Sequence, residues 1–208
     1  MPRLSRIALF GGTFDPPHRA HLALAHAALA ALGLAELRWV PTGQPWQKLQ
    51  GGRAITPAAH RVAMVEAAIR GEGGNVRFVL DRIEVDRTGP SYTIDTLDTL
   101  AAREPGHEWV LLIGQDQYAG LHTWRGWREL LARVTLAVAN RPGVAIDPAP
   151  EVRALPHRVV PLPMLDISAT DIRARVAAGL GIAELVPAEV AGYIARHGLY
   201  RAPASGAG

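Results

Sequence analysis

Cysteine is absent from all 208 residues. That removes disulfide staples, thiolate metal ligands and a cysteine nucleophile together, and it suits a reducing compartment. Lysine is almost absent: Lys48 is the single lysine among 22 basic residues. Its surroundings, Gln44-Pro45-Trp46-Gln47-Lys48-Leu49, lack the GxxxxGK[ST] pattern, so a lysine-based P-loop is excluded. No apolar run reaches the ~20 residues of a membrane span. The most apolar window, Leu22 to Leu37, is broken by His26, Gly33 and Glu36. No apolar targeting core follows Met1, and the expected location is cytoplasmic. Charge of one sign is also scarce. Twenty-two basic residues face 19 acidic ones, a surplus of +3, with no basic–aromatic stripe. Neither a nucleic acid nor a membrane is expected as a partner.

What is present is ordinary globular composition: 49% apolar and 20% charged residues. A single domain over residues 1–208 is expected, with 202–208 as a disordered tail. Short apolar runs alternate with helical periodicity. Strands are predicted over Arg6–Phe10, Leu37–Val40, Val76–Leu80, Trp109–Ile113, Val134–Ala139 and Val159–Leu162. Leu22, Ala25, Leu29 and Leu32 mark a helix that Gly33 ends. Further helices are predicted after Thr56-Pro57, read as an N-cap followed by proline at the first helical position, after Ser91-Tyr92-Thr93, read as a helix cap, from about Ser168, and from Pro187 to Gly198. The stretches Gly43–Gly52 and Pro142–Pro156 read as mobile loops. Strand–helix alternation implies an α/β fold, a parallel sheet with helices on both faces, plus a small C-terminal helical part. Such sheets bind ligands beyond the carboxyl ends of their strands.

The unusual residues follow the strands. Gly11-Gly12-Thr13-Phe14-Asp15-Pro16-Pro17-His18-Arg19-Ala20-His21 joins the first strand to the first helix. Glycines let backbone amides approach an anion, and the helix N-terminus adds about half a positive charge. His18 and His21, three apart, share a helical face there. Two readings stay open: a phosphate cradle, or a capped helix with surface histidines. Two histidines alone fall short of a zinc set, and no metal ligands are predicted. The pattern is not GxGxxG, so a hydride-transfer fingerprint is lacking. Ser168-Ala169-Thr170-Asp171-Ile172-Arg173 reads either as a capping-box variant or as two hydroxyls and a phosphate-gripping arginine at a second helix N-terminus. Gly114-Gln115-Asp116 offers a carboxylate for ribose hydroxyls, or a turn. Trp124 has the setting of a stacking platform and Trp127 that of a core residue. Arg141 is a further phosphate fork. His26, His60, His107, His157 and His197 show no partner pattern.

Together these segments resemble the HxGH nucleotidyltransferases. Pro90-Ser91-Tyr92-Thr93, Ile113-Gly114-Gln115-Asp116, Thr123-Trp124, Arg141-Pro142 and the ending Tyr193-Ile194…His197-Gly198-Leu199-Tyr200 narrow the resemblance to the bacterial nicotinate-nucleotide adenylyltransferase family. It runs from about Ile7 to Tyr200. It implies a Rossmann-like nucleotidyltransferase fold and AMP transfer from ATP to nicotinate mononucleotide, giving deamido-NAD and pyrophosphate. It implies His18, His21 and Arg173 as catalytic residues, with Arg173, Ser168 and Thr170 on the β- and γ-phosphates. ATP would also meet Gly11, Gly12, Thr13, Phe14, Lys48, Gly114 and Asp116. Nicotinate mononucleotide would meet Tyr92, Thr93, Trp124, Arg125 and Arg141. Mg²⁺ would ride mainly on the triphosphate. The alternatives are another acceptor, such as nicotinamide mononucleotide, or a non-catalytic nucleotide sensor on the same fold. Three departures from the family pattern stand out. Ala20 replaces the glycine between the histidines, Ala169 replaces a serine, and Pro45-Trp46-Gln47-Lys48 replaces Pro-Pro-His-Lys. Oligomeric state has no signature in the sequence.

Overall fold

The computed structural model describes residues 4–44, 55–74, 76–140, 147–162 and 165–202. Six strands form one sheet: β1 (Ser5–Gly12), β2 (Glu36–Pro41), β3 (Phe78–Leu80), β4 (His107–Gly114), β5 (Thr135–Asn140) and β6 (Arg158–Pro161). Their order is β3-β2-β1-β4-β5-β6 and every pairing is parallel. The central strands read as unbroken apolar runs because both sheet faces are covered. Ala8 and Phe10 of β1 enter one core, and Ile7 and Leu9 enter the other.

The first core takes Leu22, Ala25 and Ala28 of α1 (Arg19–Leu32) and Val65 of α2 (Ala58–Gly71). The second takes Ile94, Leu97 and Leu100 of α3 (Thr93–Arg103). Tyr118 of α4 (Gln115–Ala119) and Leu130 of α5 (Trp127–Arg133) join it there. A third cluster sets Met64, Ala67 and Ala68, on the outer side of α2, against Ile172 of α6 (Ala169–Ala177). Val190 and Ile194 of α7 (Ala188–Arg196) complete it. This is the small C-terminal helical part.

All six predicted strands and all five predicted helices are found. Gly33 ends α1 in the left-handed conformation, φ 60°. Three details differ from expectation. The segment read as a loop over Pro142–Pro156 contains a helical turn, Pro150–Arg153, whose Val152 is wholly buried in the second core. Thr56 does not cap α2; Pro57 occupies that position. Ser91 does not cap α3 either. Its hydroxyl accepts the Gly43 and Gln44 amides at 3.1 and 3.4 Å. Of the loop predicted over 43–52, residues 45–52 lie outside the described residues, as do residues 203–208 of the tail predicted over 202–208. Among the described residues no helix is long and apolar enough to cross a membrane.

Candidate active site

β1 and β4 are neighbours, yet the chain leaves them in opposite directions along the sheet. Crossover loops part at such a switch point and leave a crevice at the strands' carboxyl ends. Here it is a cavity of about 580 Å³, bounded by Gly11 and Gly12 from β1 and by Gly114 from β4.

The β1–α1 loop makes one wall. Phe14 sits at φ 49° and packs its ring beneath Gly12, where an added Cβ would lie 2.8 Å from that ring. Any larger residue at position 12 would displace it. His18 is buried at the N-cap of α1, and its main-chain N–H donates to His21 Nδ1 at 3.2 Å. The two imidazoles stack with centroids 3.7 Å apart. Phe14 meets the His21 ring edge-on at 5.2 Å, with Phe10 at 6.0 Å. A neutral imidazole that accepts at Nδ1 carries its proton on Nε2. His21 is thus fixed in position and tautomer, with an N–H to offer beside a helix N-terminus.

α6 supplies the facing wall. Ser168 caps it, accepting the Asp171 N–H at 3.0 Å, and also borders the cavity. The N-cap half of the capping reading therefore holds, and the same segment borders the cavity. Arg173 is half-buried. Its Nη1 donates to the Asp15 carbonyl at 2.7 Å and its Nη2 to Thr170 Oγ1 at 2.9 Å. The α1 loop and the α6 terminus, 158 positions apart, meet through this one guanidinium.

Beneath the loop lies a charged network that sequence reasoning missed. Arg61 is 1% exposed and donates to the carbonyls of Thr56, Thr13 and Gly43 at 2.9, 2.9 and 3.1 Å. One side chain thereby ties the loops after β1 and β2 to the start of α2. Burial pushes the Arg61 pKa down, against the pull of Asp15 and Tyr200. Burial would raise the Asp15 carboxyl, but hydrogen bonds from Thr56 and Tyr200 and the nearby Arg173 charge outweigh it and hold the group low. Burial, followed by the neighbouring Asp15 charge, pushes the Tyr200 phenol far up.

The other end of the cavity is lined by Tyr92, Thr93, Trp124 and Arg125. α3 starts at Thr93, so its first-turn amides, which lack helical partners, stand at this wall. Trp127 lies within the second core, as its setting predicted, and Trp124, read as a stacking platform, borders the cavity while packing partly against that core. The Arg125 guanidinium lies over the Tyr92 ring at 4.9 Å. Glu84, also missed, is 7% exposed and lines the cavity. It accepts from Thr96 Oγ1 at 2.9 Å, and burial pushes its pKa up. Between the two ends, Asp116 is exposed at the start of α4. Gln115 donates to Asn140 Oδ1 at 2.8 Å, fastening the end of β4 to that of β5.

Of the predicted residues, Gly11, Gly12, Thr13, Phe14, His18, His21, Tyr92, Thr93, Gly114, Asp116, Trp124, Arg125, Ser168, Thr170 and Arg173 all border this one cavity. Lys48 and Arg141 lie outside the described residues. Ala20 and Ala169 border it as well, and Ala20 packs against the third cluster. Arg61 had a readable signal: it stands one turn before Val65 on the buried face of α2. Glu84 had none, because a one-turn helix has no periodicity.

A family model described as cytidylyltransferase-like matches residues 9–175. A protein of Methylibium petroleiphilum named "Probable nicotinate-nucleotide adenylyltransferase" is 50% identical over 208 residues, covering 97% of this chain and 95% of its own. One of the same name from Thermomicrobium roseum is 42% identical over 206 residues, covering 95% and 92%. The solved Plasmodium falciparum nicotinic acid mononucleotide adenylyltransferase complexed with NaAD superposes with a TM-score of 0.77 at 19% identity. It covers 94% of this chain and 97% of its own, a likeness of fold.

Proposed function

The chain belongs to the nicotinate-nucleotide adenylyltransferases, within the cytidylyltransferase-like family, and we propose how its switch-point cavity transfers AMP from ATP to nicotinate mononucleotide. The observation that carries the mechanism is the polarity of the cavity. One end gathers two helix N-termini, two imidazoles and an arginine; the other pairs a tryptophan face with a third helix N-terminus.

In this reading a phosphate oxygen of nicotinate mononucleotide attacks the α-phosphorus of ATP. A new P–O–P bridge forms, the bond to the β-phosphate oxygen breaks, and pyrophosphate leaves with that electron pair. The nucleophile is already an anion, so no base is required. The obstacle is repulsion between two anions, and positioning with charge neutralisation overcomes it. His21 donates its Nε2–H to an α-phosphate oxygen, where charge rises in the transition state. His18 supports that imidazole and meets the same phosphates. The β- and γ-phosphates sit against the amides of Gly12 and Thr13, with Arg173, Ser168 and Thr170 opposite. Asp116 receives ribose hydroxyls. Lys48 and Arg141 add charge to the phosphates.

No group of three or more histidine, aspartate or glutamate side chains among the described residues could hold a metal ion. Mg²⁺ would ride mainly on the triphosphate oxygens and would neutralise phosphate charge there. The pyridine ring stacks on Trp124. Its carboxylate meets the amides near Thr93 and Arg125, where a full negative charge gains more from a helix N-terminus than a neutral amide does.

The test is product identification. Purified protein with ATP, Mg²⁺ and nicotinate mononucleotide should form deamido-NAD, detected by mass, with one pyrophosphate per dinucleotide. Absence of the dinucleotide from a folded, ATP-binding protein would refute the assignment.

A further inference from the structure

The family model ends at residue 175, yet the phosphate loop is fastened to a residue 25 positions later, Tyr200. Beyond α7 the chain turns through Gly198, φ 60°, and Tyr200, φ 64°. The left-handed region suits glycine, and a tyrosine rarely adopts it. That backbone brings the ring back under the β1–α1 loop, beside the third cluster. Its hydroxyl donates to Asp15 Oδ1 at 2.8 Å, with Met64 Sδ at 3.8 Å. The other Asp15 oxygen accepts the Thr56 N–H at 3.4 Å. The Asp15 main-chain carbonyl accepts from Arg173 Nη1 at 2.7 Å. Two short hydrogen bonds thus run from the C-terminal turn, through a single residue, to the guanidinium that faces the cavity. Tyr200 stands behind Asp15 and off the cavity wall, so it reaches a substrate only through others.

We propose that Tyr200 is a positioning residue for the triphosphate: by holding Asp15 it aims Arg173 at the β- and γ-phosphates. An arginine has several rotatable bonds, and its phosphate grip depends on the direction of a planar fork. Fixing the fork before ATP arrives removes an ordering cost from binding. The low pKa of Asp15 fits this arrangement, since a carboxylate is the stronger acceptor for the phenol. The C-terminal segment, beyond the matched family region, becomes part of the ATP site.

This inference rests on the phosphate role given to Arg173 above, and equilibrium binding separates the two. Mg²⁺–ATP and nicotinate mononucleotide are titrated calorimetrically, each alone, into wild type, Tyr200→Phe, Arg173→Ala and the double variant. Phenylalanine keeps the ring packing and removes only the hydroxyl. Loss of one charge-coupled hydrogen bond should weaken ATP about five- to tenfold in Tyr200→Phe. Nicotinate mononucleotide affinity should stay within about twofold, and the double variant should bind ATP no worse than Arg173→Ala, as residues acting in series do. Leu199→Ala, which trims the same cluster without touching Asp15, is the control and should leave ATP affinity unchanged. Unchanged ATP affinity in Tyr200→Phe would overturn the proposal. So would an equal further loss in the Arg173→Ala background, or the same loss in Leu199→Ala. If wild type binds ATP but forms no dinucleotide, the activity assignment fails while this cycle still reads out.

Discussion

At His21 a single hydrogen bond sets the tautomer on which the proposed chemistry rests. The His18 N–H occupies Nδ1, which leaves the proton of the neutral ring on Nε2. His21→Ala should lower kcat by ~10²–10³, the scale of one lost transition-state donor. Steady-state kinetics checks this, and a fall of less than threefold would remove His21 from the reaction. Arg173→Ala should raise the KM for ATP and leave that for nicotinate mononucleotide nearly unchanged. The reverse split would move Arg173 to the other substrate. Residues at this scale were legible where chemistry and position coincide. Glycines, paired histidines and a serine–threonine–arginine helix start are unusual enough to read. Glu84 and the role of Tyr200 were not, and Arg61 showed only its place one turn before Val65. A buried charge looks like a solvated one in sequence, and its partners lie far along the chain: Arg61 reaches Thr13, 48 positions away, and Tyr200 reaches Asp15, 185 away.

The elements were largely legible, because continuous apolar runs and helical periodicity are local signals. Their order in the sheet was not. Nothing in β4 states that it pairs with β1, although that pairing creates the crevice. The short helices Ile83–Asp86, Gln115–Ala119 and Pro150–Arg153 also escaped, being too brief to show a period. Two of these segments matter to the site's shape: α4 carries Asp116, and Ile83–Asp86 carries Glu84. The contact between that turn and the β2 loop is unusually close. A Cβ at Gly43 would lie 2.0 Å from the Glu84 carbonyl oxygen. Gly43→Ala must therefore push two backbones apart. Overpacking of this kind costs roughly 1–3 kcal/mol. For a chain of this size that is a fall of about 5 °C in Tm, measurable by calorimetry. An unchanged Tm would contradict the contact.

Across the whole molecule, the edge of the sheet is tied to α3 by a second charge network. Arg38, 8% exposed at its side chain, donates to Glu36 and to both oxygens of Glu104, and Arg103 joins Asp81 to Glu104. Hydrogen bonding to Arg38 holds the Glu104 carboxyl at about 2, below its ordinary 4.5. A carboxyl lowered by folding stabilises the protein above its unfolded value and loses that contribution as pH falls through its folded value. Glu104→Gln should thus cost roughly 1–2 kcal/mol at pH 7, once solvent screening at its partly exposed carboxylate is counted. By urea unfolding, the gap between wild type and variant should narrow from pH 7 to pH 3.5. A gap independent of pH would remove the Arg38 pairing as its source.

The cavity as a whole makes the sharpest demand, because its two ends ask for two different substrates. Pyrophosphate release by the purified protein with ATP and Mg²⁺ should be compared for nicotinate mononucleotide and its nicotinamide counterpart. An aromatic shelf beside helix amides predicts release with both rings in place, and at least tenfold higher kcat/KM for the acid, about 1.4 kcal/mol for the added charge. Equal use of acid and amide, or no release with either, would contradict it.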